Sequence, residues 1–173
     1  MVRYKKGVFT DPRDSKQYKT VKIGEQTWLA ENLNWKGTGV WYNNSPILGN
    51  AFGRLYTWKE ALKAAPPGWH LPTDEEWQKL VNFAGGDRVA GEKLRAKDGW
   101  QGNGTDEFGF SALPGGFCLR GGIFYDVCNS GDWWCATGES PFAFERNMNN
   151  GDAGVYRDTQ YEIYSFSVRL VKD

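Results

Sequence analysis

The chain changes character near Trp100. Before it lie two segments with complete helix-start signals; after it come only short apolar or alternating runs separated by glycine, asparagine and aspartate. This division constrains the fold more than any single motif. Helices gathered in one half and strands in the other predict an α+β domain with short antiparallel sheets, not alternating βαβ units.

The helical half is read from its caps. Thr57 precedes Trp58–Ala64 with Glu60 three residues on, and Thr73 precedes Asp74–Ala84 with Glu76 in the same place. In both, the hydroxyl and the carboxylate can satisfy each other's backbone donors. Pro66-Pro67-Gly68 and Gly85-Gly86 supply the stops. Trp77, Leu80, Val81 and Ala84 share one face, so the second helix packs through Trp77. A third, shorter helix is expected from about Val89 to Lys97, and Glu31 to Asn50 reads as an ordered loop.

Ahead of the helices, a short strand with a turn at Val8–Asp14 precedes Lys19–Ile23 and Gln26–Leu29, a hairpin about Gly24-Glu25. Later strands are expected at Phe110–Leu113, Gly122–Tyr125, Asp132–Ala136, Phe142–Met148, Gly154–Tyr156 and Phe166–Val171. The last must pair somewhere, and the N-terminal hairpin is its natural partner, so N- and C-terminal strands close one domain over residues 1–173. Twenty-two glycines imply many turns, and nine tryptophans supply the bulk that fills a loop-rich core.

Basic and acidic residues balance at 21 each with no basic stripe, which argues against a nucleic-acid partner. No apolar run is long enough to insert in a membrane, and Met1–Lys6 lacks the apolar segment of a signal peptide. Cys118, Cys128 and Cys135 form no C-x-x-C pair; Cys118 and Cys128 flank Gly121-Gly122 and either bridge a hairpin or remain small buried thiols.

Several motifs closely resemble the major paralogous domain of Fibrobacter succinogenes and gut Bacteroidetes. They are Asp11-Pro12-Arg13-Asp14, the stretch Val21–Leu33, Gly53–Trp58, Gly68-Trp69-His70-Leu71-Pro72-Thr73, Gly109–Gly116, Trp133-Trp134 and Phe166–Arg169, in family order from about Phe9 to Asp173. The resemblance implies a C-type-lectin-like fold related to formylglycine-generating and sulfatase-modifying domains. It also implies an extracellular or cell-surface setting. The family often carries cysteine where this chain has Ala65 and Leu170. Losing both suggests apolar packing in place of a terminal disulfide, and admits a reducing compartment such as the cytoplasm before phage or particle assembly.

His70, the one histidine, cannot form a multi-histidine metal site and reads as a hydrogen-bonded structural residue. A triad with Ser111 lacks a G-x-S-x-G elbow and an orienting acid. The reactive thiols of the formylglycine enzymes lie close together near the C-terminus, unlike the cysteines here, so no catalytic residue is assigned. Two oxygen-rich loops, Asp98, Asn103, Asp106 and Glu107 and then Asn147, Asn149, Asn150 and Asp152, suit either calcium or tight turns. No metal ligand or cofactor is assigned beyond that calcium alternative.

The expected binding surface is the segment Phe142–Tyr164. It interleaves Phe142, Phe144, Tyr156, Tyr161 and Tyr164 with Glu145, Arg146, Asn149, Asp152, Arg157, Asp158 and Glu162. Aromatic, arginine and asparagine side chains on a rigid frame are favoured where proteins meet ligands. The function expected is non-catalytic recognition of a protein or glycan ligand by a bacterial or phage surface protein. Two alternatives stand beside it. The same fold hosts the variable proteins of diversity-generating retroelements, which would make Phe142–Tyr164 a diversified surface; the other is an enzyme of the formylglycine-generating type.

Overall fold

The computed structural model describes residues 4–102 and 104–173. Met1, Val2, Arg3 and Asn103, the last a member of the first oxygen-rich loop, lie outside them. The chain opens with β1 (Lys5–Thr10), β2 (Gln17–Ile23) and β3 (Gln26–Leu29). Gly24, in the left-handed region at φ 58°, turns Ile23 back onto Gln26 as the hairpin signal required. Next come α1 (Pro46–Phe52), β4 (Tyr56–Thr57), α2 (Trp58–Ala61), β5 (Trp69–His70), α3 (Asp74–Phe83) and α4 (Ala90–Leu94). Both threonine–glutamate boxes form, at Thr57 with Glu60 and at Thr73 with Glu76.

The second half holds β6 (Phe117–Leu119), β7 (Ile123–Tyr125), β8 (Ser130–Glu139), β9 (Phe142–Asn149), β10 (Tyr156–Tyr161), β11 (Ser165–Phe166) and β12 (Val171–Lys172). The paired strands run antiparallel in three sheets: β1-β2-β3-β12-β5, β10-β9-β8 and β4-β11-β6-β7. The result is a mixed arrangement of helices and antiparallel sheets. Val171 pairs with Trp28 of the hairpin, joining the two ends of the chain.

Four expectations change. The stretch read as loop contains α1, whose start carries Ser45 as a capping hydroxyl and Pro46 in the first turn. Phe110–Leu113 is not a strand; its backbone is drawn aside by an isolated bridge from Ala112 to Arg95 and a left-handed Ser111. β10 begins where Gly154–Tyr156 was expected to end. Phe166–Val171 splits, because Phe166 pairs with Tyr56 in one sheet and Val171 with Trp28 in another.

Two apolar clusters flank β8. Trp133 enters the one built on Trp28, Trp77 and Phe110, and its neighbour Trp134 points into the other, with Tyr18, Tyr56 and Phe166. Trp77 lies 5.1, 5.7 and 5.9 Å from the rings of Trp28, Phe110 and Trp133. Each such pair adds about 0.5–1.5 kcal/mol beyond area burial. Leu170 and Ala65 pack in the second cluster, apolar contact at both positions where the related domains often carry cysteine.

A buried polar network ties the ends together. Arg169, fully buried, donates to Asn32 Oδ1 at 2.8 Å and to the carbonyls of Leu29, Phe110 and Ser111. Asn32 Oδ1 also accepts from Trp133 Nε1 at 2.9 Å, and Asn32 Nδ2 donates to the Phe52 carbonyl at 2.8 Å. Burial lowers the Arg169 pKa to about 9, so the guanidinium remains charged at neutral pH and is solvated by carbonyls instead of water.

Candidate functional site

The sheet β10-β9-β8 carries the expected binding segment, and its register divides the segment between two faces. Residues paired across strands lie on the same face. Trp133 opposite Arg146 and Arg146 opposite Arg157 define one face; Asp132 opposite Asn147 and Trp134 opposite Glu145 define the other.

The first face packs on α3. Arg146, 1% exposed, donates from Nη2 to Asp74 Oδ1 at 2.6 Å and from Nη1 to Gln78 Oε1 at 2.9 Å. Arg157 reaches the other Asp74 oxygen at 2.8 Å and lies 3.9 Å above the Phe144 ring. Asp74 is held at the first turn of its helix, where a carboxylate is favoured, and so receives both guanidinium groups. Both guanidinium groups on this face are therefore paired with the Asp74 carboxylate.

The second face floors a cavity of about 230 Å³ beneath the β6–β7 hairpin. Asp132 and Glu145 lie in its floor, Asp126 enters from the loop after β7, and Phe117, Leu119 and Phe166 form apolar wall. Asp132 Oδ2 accepts from Ser130 Oγ at 2.7 Å, and Glu145 Oε1 accepts from Asn147 Nδ2 at 2.8 Å. Glu145 Oε2 has no partner although the residue is only 1% exposed. Burial, with Asp126 adding repulsion, pushes the Asp132 carboxyl up to about 7. Burial and the nearby Asp132 charge push Glu145 well above the usual carboxylate range. The pair therefore retains a proton near neutral pH.

The twelve residues expected to meet ligand are thus dispersed. Phe142, Tyr156 and Tyr161 are exposed, while Phe144 and Tyr164 are half-buried and pack against the two cores. Arg146 is not at the surface at all: α3 covers it, and it serves the frame. Glu145 is buried as well, yet it faces the cavity. Asn149 lines that cavity too, Asp158 lies on the same face opposite Glu145, and Arg157 is tied to Asp74. Glu162 pairs with Lys59 at 2.8 Å. Asp152 accepts from Tyr156 Oη at 2.6 Å and from the Gly154 amide at 2.7 Å, bonds that lower its pKa. Asp126, Asp132 and Phe117 were not singled out in the sequence. The usable signal was the two-residue spacing of polar side chains, Ser130-x-Asp132 and Glu145-x-Asn147, beside the buried Trp133-Trp134 and the half-buried Phe144.

A cationic side chain lies between the described residues of the two oxygen-rich loops. Arg95 is 4% exposed between them, donates to the Asn149 carbonyl and lies beside Glu92 and Asp152 in a second cavity, so a cationic side chain already fills that position. Asp106 is spent on the Ser111 amide and hydroxyl, at 2.8 and 2.7 Å. Among the described residues, no three His, Cys, Asp or Glu side chains are grouped to hold a metal.

His70 bridges Asp173 Oδ1 at 2.6 Å and Glu76 Oε1 at 2.9 Å, linking the last strand to the α3 cap. Burial disfavours its charge, but the two carboxylates outweigh that and raise its pKa. The three cysteines are free, and burial pushes the Cys118 and Cys135 thiols up, away from the reactive thiolate. Cys118 pairs across the β6–β7 hairpin with Phe124, not with Cys128. No helix among the described residues is long and apolar enough to cross a membrane.

The sequence model of the Fibrobacter succinogenes major domain matches residues 21–172. The chain belongs to that family. No curated protein and no solved structure matches it.

Proposed function

We propose that this member of the Fibrobacter succinogenes major domain family is a non-catalytic recognition domain of the C-type-lectin-like kind, holding a protein or glycan ligand at a cell surface. The observation that carries the reading is an exposed apolar patch where β9 and β10 meet. The rings of Phe142 and Tyr161 meet tilted at 37°, 4.7 Å apart, and the residues are 42% and 47% exposed; Ile163, two residues on from Tyr161, is 49% exposed. Tyr164 buttresses the patch from behind, its ring 5.7 Å from Tyr161.

Aromatic side chains anchored on rigid strands present large area at small entropic cost, which is what an anchor patch needs. The Lys59–Glu162 ion pair beside the patch supplies a polar rim. Burial pushes the Cys118 and Cys135 thiols up, away from the thiolate that a formylglycine-type enzyme would use, which favours the non-catalytic reading. The surface setting follows the family resemblance.

Binding to printed plant polysaccharides and to immobilised mucin glycoproteins tests the reading, with the double substitution Phe142→Ser and Tyr161→Ser as comparison. Saturable binding that falls about tenfold or more in the double variant is expected, the loss of one or two anchors. Binding that is equal in both proteins, or at background for both ligand sets, contradicts it.

A further inference from the structure

We infer that the cavity between the Asp132–Glu145 face and the β6–β7 hairpin receives an organic cation: an ammonium or guanidinium group on an aliphatic stem, as on a lysine or arginine side chain of a bound partner. Every charged residue lining it is acidic: Asp126, Asp132 and Glu145. Glu145, one of its lining residues, is 1% exposed and its Oε2 has no hydrogen-bond partner; a buried acceptor left so costs about 1–3 kcal/mol unless a ligand supplies the donor. Phe117, Leu119 and Phe166 line the wall, and an aliphatic stem is what such a wall would cover.

Size and composition favour this occupant over a metal. At about 230 Å³ the space falls below the roughly 300–1,000 Å³ of sites for drug-sized ligands and suits one side chain. A hydrated divalent ion gains nothing from three apolar wall residues, and calcium calls for six to eight oxygens around one point. Among the described residues no three acidic, histidine or cysteine side chains are so grouped.

The charges acting on the pair come from neighbouring elements: Asp126 follows β7 and Asp158 is on β10. Cys118 on β6, between the lining residues Phe117 and Leu119, points to the other face and has its thiol pKa pushed up by burial. Arg146, adjacent to Glu145, spends its guanidinium on α3 at the opposite face. Among the described residues no lysine, arginine or histidine lines the cavity, and Arg146, held by α3 on the far side of the sheet, only partly offsets the negative field at Glu145. A proton held on one of the two carboxyls is displaced when the cation enters, one positive charge in and one out. Binding therefore strengthens as pH rises through about 7, the value to which Asp132 is pushed.

The cavity and the Phe142–Tyr161 patch use different residues, so either proposal can fail alone. The decisive experiment titrates Nα-acetyl-lysine amide and Nα-acetyl-arginine amide into the whole chain at pH 8, followed by amide chemical shifts. Nα-acetylnorleucine amide is the uncharged stem and calcium chloride the metal control. Saturable shifts at Asn147 and Gln160 are expected with at least one cation, about tenfold or more weaker with norleucine, and weakening by up to about tenfold per pH unit below 7. Glu145→Gln, which retains the volume, should lose about tenfold or more of the affinity, and Asp132→Asn serves if that variant does not fold. Should neither fold, the pH dependence of the natural chain decides. No saturable shift, equal binding of norleucine, binding indifferent to both substitutions and to pH, or response to calcium alone would overturn the inference.

Discussion

Adjacent residues of β9 are both about 99% withdrawn from water and do opposite things. Arg146 turns toward α3 and meets Asp74 and Gln78; Glu145 turns toward the β6–β7 hairpin, receives one bond from Asn147 and keeps an oxygen with no partner. Burying a charge is unfavourable unless it is paired and hydrogen-bonded. The Arg146 side meets that condition within the chain and has no reason to take a ligand. The Glu145 side does not, and settles the conflict by holding a proton. Satisfied burial marks frame, and unsatisfied burial beside an opening marks a place where something else belongs.

Substitution on the two faces should have opposite signs. Arg146→Met leaves Asp74 and Gln78 short of a donor in a buried setting and is expected to cost about 3–5 kcal/mol, read as a lower urea midpoint. Arg157→Ala removes a half-exposed partner of the same Asp74 and should cost under about 1 kcal/mol, so the difference lies in burial, not in charge count. An Arg146→Met protein as stable as the natural chain would break the comparison.

Glu145→Gln should leave stability nearly unchanged at pH 4, where the carboxyl is largely protonated in both states, and raise it at pH 8. The sign follows from the raised carboxyls. The unfolded chain loses these protons near pH 4, whereas the folded chain retains them to about 7 or above, so their contribution declines as pH climbs across that interval. The amide retains the shape and removes the titration. Urea melts of both proteins at the two pH values check it, and a variant destabilised at pH 8 would assign Glu145 to the frame.

Much of the frame was legible in sequence because local rules decide it. The threonine–glutamate boxes at Thr57 and Thr73 and the Gly24-Glu25 turn need only residues within a few positions of each other. The helix at Pro46 was legible too, in Ser45-Pro46, but was masked by the surrounding asparagine and glycine. Of the candidate site, the sequence pointed to β9 and β10 and mixed their two faces. A two-residue period says that Glu145 and Arg146 face opposite ways; it cannot say that α3 covers one side and a hairpin roofs the other. Asp126 and Phe117 reach the cavity through the β6–β7 hairpin, a pairing set by Gly121-Gly122 that no local pattern connects to Glu145. The family motifs proved to be mostly frame: Asn32, Trp133 and Arg169 join in one buried network.

The central claim is that one of the buried carboxyls Asp132 and Glu145 holds a proton at neutral pH that a cation can replace. Side-chain carboxyl carbon shifts of these two residues, followed from pH 3 to 9, read it directly. The account predicts that at least one titrates near or above 7, and that adding Nα-acetyl-lysine amide or Nα-acetyl-arginine amide moves that midpoint down. Both carboxyls titrating near 4, with or without the cation, would contradict it.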